Sequence, residues 1–177
     1  MYLGMAEYKI DRKIVDCAEF LSKYMDVEKF LPLCRSCSNY GKLHTCPPFE
    51  ENLYSLLKDF KYLELFAMTV PSGDIAEYKA ARRYFDEQML MLEEKNSGAI
   101  AFFAGSCLIC EDGNCARNKG MECHHKDLSR LSLEALGIDV TAALSDIFGV
   151  RLEWATEGHS PESMTLLSAL ALDKFVV

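Results

Sequence analysis

The stretch Tyr62-Leu63-Glu64-Leu65-Phe66-Ala67-Met68-Thr69-Val70, closed by Pro71-Ser72-Gly73, decides how the chain is read. It is a nearly continuous apolar run rich in aromatic and branched side chains and ended by turn residues, which predicts a buried strand. Asp74, with Glu77 three residues later, resembles a capping box and opens a helix. Tyr78, Ala81, Phe85, Met89 and Leu92 recur on one face of that helix, which stops at Asn96-Ser97-Gly98. Ala99 to Ala104 then reads as a second short buried strand. Strand, helix, strand at these lengths is most simply a right-handed crossover between parallel strands. The expected fold is therefore α/β: a small partly parallel sheet flanked by helices, with two cysteine-rich metal-binding loops, in one domain over 1–177.

Working outward, Ile14, Cys17, Ala18, Leu21, Tyr24 and Met25 recur at three- and four-residue steps, predicting one apolar helix face with Cys17 as a core residue. Leu31 to Pro48 reads as a loop from its proline, glycine, serine and asparagine content. Leu53, Leu56, Leu57 and Phe60 mark a short helix, with Pro48 near its first turn. On the far side, Ser132 caps a short helix ending at Gly137, and Asp139 or Thr141 opens another ending near Gly149. Thr165 to Ala171 is the last strand, and Gly158, Ser160 and Pro161 suggest a turn before it.

Half of the 177 residues are hydrophobic, enough for a core, and 19 basic against 27 acidic residues give a net charge of -8. No lysine-arginine block is present to track a phosphate backbone, so nucleic acid is not an expected partner. Met1 to Asp16 lacks the basic and apolar regions of a secretory signal, and no long uninterrupted apolar span suggests a membrane. A cytoplasmic location follows as the expectation. Eight cysteines in a reducing compartment then argue for metal or redox chemistry rather than disulfides.

Seven of those cysteines fall into two groups. Cys107, Cys110, Cys115 and Cys123 follow one another at intervals of two, four and seven positions, interleaved with Glu111, Asp112, Gly113 and Asn114. Polar interleaving of this kind is not a packing pattern, so these thiols read as ligands. Structural zinc usually takes two separated knuckles, whereas a tight run of three thiols with a fourth nearby readily wraps an iron-sulfur cluster. A [4Fe-4S] cluster is the expected cofactor, with zinc as the alternative. Arg117, Lys119, Lys126 and the two histidines His124 and His125 are expected to offset the negative charge of such a centre, while Glu111, Asp112 and Glu122 oppose them.

The second group, Cys34, Cys37 and Cys46, is one ligand short. Cys46-Pro47 resembles the cysteine-proline pairs that close cluster loops in bacterial ferredoxins, although the ferredoxin spacing is absent. Three ligands leave a position open to water or substrate. Otherwise His44, His124, His125 or His159 supplies the fourth donor, or both groups share one centre.

Together, Cys34-x2-Cys37-x2-Tyr40-Gly41-Lys42-x3-Cys46-Pro47-Pro48, Gly105-Ser106-Cys107-x2-Cys110-x4-Cys115 and Ser132-Leu133-Glu134-Ala135-Leu136-Gly137-Ile138-Asp139-Val140 carry a resemblance. They are similar to a widespread family of small predicted metal-binding proteins of unknown function, common in anaerobes. The resemblance spans 34–173 and implies the same seven cysteines as metal ligands, without supplying a reaction. His44 departs from it, since an aromatic residue is expected two positions before Cys46. The leading expectation is an iron-sulfur protein that transfers electrons to a redox partner. An enzyme with a substrate-accessible iron at Cys34, Cys37 and Cys46, acting on a small molecule, is the second. A zinc-stabilised interaction module is the third, and a homo-oligomer is compatible with each.

Overall fold

The computed structural model describes residues 8–110, 114–153 and 161–173. Four strands form one sheet in the order β1-β2-β4-β3: β1 (Lys9–Asp16), β2 (Tyr62–Val70), β3 (Ile100–Phe102) and β4 (Met164–Leu172). Every neighbouring pair is antiparallel, with Tyr62 opposite Leu172, Val70 opposite Met164 and Phe102 opposite Ala169. The expected partly parallel sheet is thus corrected. The crossover through helix α3 (Ile75–Lys95) exists, and β2 and β3 run the same way, but β4 is inserted between them. An apolar run reports that both faces of a strand are covered; it carries no information on the direction of its neighbour.

Both faces are indeed covered. Leu63, Leu65 and Ala67 of β2, with Leu167, Ala169 and Ala171 of β4, pack with Cys17, Phe20, Leu21 and Tyr24 of α1 (Cys17–Tyr24) and with Leu133, Leu136, Ile138 and Leu144. On the other face Phe66, Met68, Val70, Leu166 and Leu170 meet Ala81, Phe85 and Met89 of α3. Each large apolar side chain buried there stabilises the fold by about 2 kcal/mol. Asp74 caps α3 by accepting from the N–H groups of Ala76 and Glu77, at 2.8 and 2.9 Å.

The N-terminal reading needs two corrections. Ile14 belongs to β1, and α1 begins only at Cys17, where Asp16 accepts from the N–H of Glu19 at 2.9 Å. Strand β1 is hard to see because five of its eight residues are lysine, aspartate or arginine, with Asp11-Arg12-Lys13 in a row, as suits a sheet edge. Leu31 to Cys34, read as loop, instead belong to α2 (Val27–Arg35), which contains Pro32 and is capped by Asp26. Pro32 removes only one internal hydrogen bond near the end of a short helix. The helix expected at Leu53 to Phe60 is a 3₁₀ helix, Glu51–Asp59, and that expected after Ser132 is a 3₁₀ turn, Glu134–Leu136. After it come α4 (Val140–Ala143) and a π-helical turn, Leu144–Phe148, ended by Gly149. Trp154, Gly158, His159 and Ser160 lie outside the described residues. Among the described residues no helix is long and apolar enough to cross a membrane.

Two short pairings place everything that follows. Phe103, just beyond β3, forms an isolated parallel bridge with Ser132, its N–H donating to the Leu131 carbonyl at 2.8 Å. At the other end of this segment Met25 bridges Ile138, and the N–H of Asp26 donates to the Gly137 carbonyl at 2.9 Å. Residues 132–138 are thereby strapped between the exit of β3 and the start of α2.

Candidate metal centre

The last turn of α2 presents Cys34, and a chain of tight turns returns Cys46 to it. The N–H of Cys37 donates to the Cys34 carbonyl at 3.0 Å, that of Tyr40 to Cys37 at 3.1 Å, and that of Gly41 to Pro47 at 2.7 Å. Gly41 has φ +71°, a left-handed conformation that glycine adopts without strain. The Pro47-Pro48 bond is cis. The result is a cavity of about 200 Å³ whose walls include Cys34, Cys37, Cys46, Tyr40, Ser132 and Glu134. Burial pushes the Cys46 thiol up to about 11, with Cys37 the next cause. The Cys34 thiol is also raised, by burial, then by Cys37 and then by Glu134. Burial first, and neighbouring thiols after it, disfavour the thiolate forms of Cys34 and Cys46, effects that a bound cation reverses.

The other group leaves β3 through Gly105, at φ +66°. Cys107, Cys110, Cys115 and Cys123 line one cleft together with Leu43, His44, Thr45, His125 and Ser129. Burial raises the Cys107 thiol, and Cys110, Cys123 and Cys115 add to it against the Ile109 N–H. The Cys110 thiol is raised as well, by loss of solvent and then by Cys115 and Cys123. The N–H of His125 lies 3.4 Å from the Cys123 sulfur, and the Ser129 hydroxyl 3.7 Å from it. Arg130 anchors the return of this loop, its Nε donating to both oxygens of Glu93 on α3 at 2.9 Å.

The two groups surround separate pockets that share one wall. Cys46 and Pro47 face the first pocket, while Leu43, His44 and Thr45 of the same loop face the second. Arg117 clamps this wall: its Nη1 donates to the carbonyls of Leu43 at 2.7 Å and Cys46 at 2.5 Å, and its Nη2 to Pro48 at 2.8 Å. Asn39 Nδ2 adds a bond to the Ser106 hydroxyl at 3.2 Å. Of the basic residues expected to balance the charge, Arg117 reaches the centre, whereas Lys126 pairs on the surface with Glu122 at 2.7 Å.

None of the described histidines lines the first pocket. His44 stands at the second cleft with its Nε2 2.9 Å from the Met121 carbonyl, and His125 lines the same cleft. His124 is exposed, and His159 lies outside the described residues. The residue that sequence reasoning passed over is Glu134, read as part of a short helix and of the motif Ser132 to Val140 but not as a candidate ligand. Its carboxylate is pushed up by burial, against its own N–H, the Ser132 hydroxyl, Arg82 and the Gly105 N–H. Oε2 is shielded from solvent and has no hydrogen-bond partner among the described residues.

Behind Glu134 lies more buried charge. Arg82 of α3 is 1% exposed, and its Nε donates to Asp86 at 2.8 Å. Burial lifts the Asp86 carboxyl to about 6 despite this partner. A Cβ on Gly105 would sit 3.4 Å from Arg82 Nη1, so the β3 exit passes directly over the guanidinium. Beyond, Glu134, Tyr78 and Gly105 also line a second cavity of about 400 Å³, otherwise walled by side chains such as Leu144, Leu152 and Leu166.

Among the described residues no three histidine, cysteine, aspartate or glutamate side chains form a ready-made site for a metal ion. The donor chemistry nevertheless fits a thiophilic metal at both pockets, since soft thiolates select zinc and iron-sulfur centres. A family described as "Predicted metal-binding protein (DUF2284)" matches residues 21–172. No curated protein and no solved structure matches the chain.

Proposed function

The chain belongs to that family of predicted metal-binding proteins, and from this premise we propose that it is a cytoplasmic iron-sulfur protein, one domain carrying a [4Fe-4S] cluster on Cys107, Cys110, Cys115 and Cys123. A cluster there supplies one-electron chemistry, to be passed to a redox partner. The observation that carries the reading is the convergence of these four thiols on a single cleft. Three of them come from one short loop, a spacing that suits a cluster better than separated zinc knuckles. The surrounding chain has the means to tune such a centre. Arg117 holds the wall beside it, and the His125 N–H and Ser129 hydroxyl face the Cys123 sulfur, contacts of the kind that set reduction potential.

Cys34, Cys37 and Cys46 are the ligands of a second centre. A specific observation favours reactivity there: the three-thiol pocket lies against the largely apolar 400 Å³ cavity, large enough for a small molecule. The test is the iron, zinc and acid-labile sulfide content of anaerobically purified protein, with visible and paramagnetic spectra. Iron and sulfide are expected, lowered independently by Cys37→Ser and Cys110→Ser. Colourless protein with stoichiometric zinc would refute the cluster.

A further inference from the structure

We propose that the Glu134 carboxylate is the fourth donor of the centre at Cys34, Cys37 and Cys46, an assignment that rests on those three cysteines binding a metal. The three thiols and Glu134 line the same cavity, and Glu134 is its only carboxylate among the described lining residues. Its Oε2 is buried and unpartnered, a state that normally costs a few kcal/mol unless a ligand satisfies it. Of the imidazoles that sequence offered for this role, the described ones are placed elsewhere, His44 on the Met121 carbonyl, His125 at the other cleft and His124 exposed to solvent.

The backbone holds Glu134 in this position from two sides. The Phe103 to Ser132 bridge fixes it beside the β3 exit, and the Asp26 to Gly137 bond fixes it beside the helix that carries Cys34. The Ser132 Oγ accepts from the Ala135 N–H at 3.2 Å, which leaves the hydroxyl proton free to orient a neighbouring carboxylate. Arg82 lies behind it as a buried positive charge. One carboxylate carries the same charge as one thiolate, so three sulfurs and Glu134 balance a metal centre as four cysteines do. An oxygen donor holds iron or zinc less firmly than a thiolate does, and Glu134 also faces the 400 Å³ cavity. The exchangeable position of the centre is thereby the one nearest the space a small molecule can occupy.

The experiment compares Glu134→Ala, Glu134→Gln, Glu134→Cys and, as a control at an exposed carboxylate of α3, Glu94→Gln in the full chain, reading metal per chain after a chelator challenge. Cys37→Ser is run beside them. Alanine and glutamine are expected to lose the metal of this centre alone, by tenfold or more in affinity, since even outer partners of ligands are worth about 10–100-fold. Cysteine retains it, and Glu94→Gln is unchanged. X-ray absorption on Cys110→Ser protein, which keeps only this centre, is expected to show three sulfurs and one light atom without imidazole scattering. It is expected to show four sulfurs once Glu134→Cys is added. A four-sulfur or imidazole shell before that change overturns the assignment even where the alanine variant fails to fold. Full retention of metal in Glu134→Gln, with loss in Cys37→Ser, overturns the Glu134 assignment alone. No loss in Cys37→Ser overturns both it and the second centre.

Discussion

Arg117 donates to the carbonyls of Leu43, Cys46 and Pro48, so one side chain sets the shape of the wall between the two cysteine pockets. Hydrogen bonds from a charged donor are worth about 1.5–3 kcal/mol each, and some of this is recovered from water when they are lost. Arg117→Ala is therefore expected to lower stability by about 2 kcal/mol. It should also speed metal release from both centres, read by denaturant unfolding and by chelator kinetics. Release accelerated at one centre only would mean that the wall is not shared. At this scale the sequence was partly legible. Cys17 reads as core from its helical spacing, and it is buried with its thiol on the Leu57 carbonyl at 3.1 Å. Burial and then Asp16 push that thiol up to about 11, and its place in the apolar cluster, outside both cysteine pockets, makes it a packing residue. Glu134 was not legible, because a glutamate at the start of a short turn is ordinary until one of its carboxylate oxygens, Oε2, is found buried without a partner among the described residues.

Gly137 shows how one element positions another. It has φ +82°, and a Cβ there would stand 2.8 Å from the Val27 Cα at the start of α2. Gly98 has a similar φ of +84° with nothing within 4 Å. Gly98→Ala is expected to cost about 1–2 kcal/mol from backbone strain alone. Gly137→Ala adds a backbone clash worth about 1–3 kcal/mol more and displaces the helix that carries Cys34. Equilibrium unfolding separates the two variants, and only Gly137→Ala should weaken metal at Cys34, Cys37 and Cys46. Equal losses would show that α2 is not seated on Gly137. Among the elements, β2, α3 and β4 are legible because each buries a regular apolar pattern. Strand β1 and helix α2 are not, because this edge strand is mostly charged, with no apolar alternation, and Pro32 reads as a helix breaker.

For the whole molecule, the two apolar clusters on either face of the sheet contain Cys17 but none of the seven candidate ligands. The sheet and α3 are held by hydrocarbon, whereas the cysteine loops are held by turns, by Arg117 and by whatever the thiols bind. Metal removal is therefore expected to leave the far-ultraviolet circular dichroism of the sheet and helices largely intact while opening residues 36–49 and 105–130 to proteolysis. Cooperative collapse of the entire chain on chelation would favour the zinc-stabilised module, in which metal binding and folding are one event.

The linear chain specified what is local: the two cysteine groups and their spacing, the capped helix from Asp74, and two strands whose apolar runs announce burial on both faces. Folding in three dimensions settled what is not local. β4 lies between β2 and β3, although it is distant from both in sequence. Apolar periodicity records that a face is covered without naming what covers it. For the same reason, no spacing rule could bring Cys46 between two pockets or set the Glu134 carboxylate beside Cys34. Those neighbours exist because Phe103 pairs with Ser132 and Asp26 with Gly137, contacts between segments remote in sequence that form only once the core has closed.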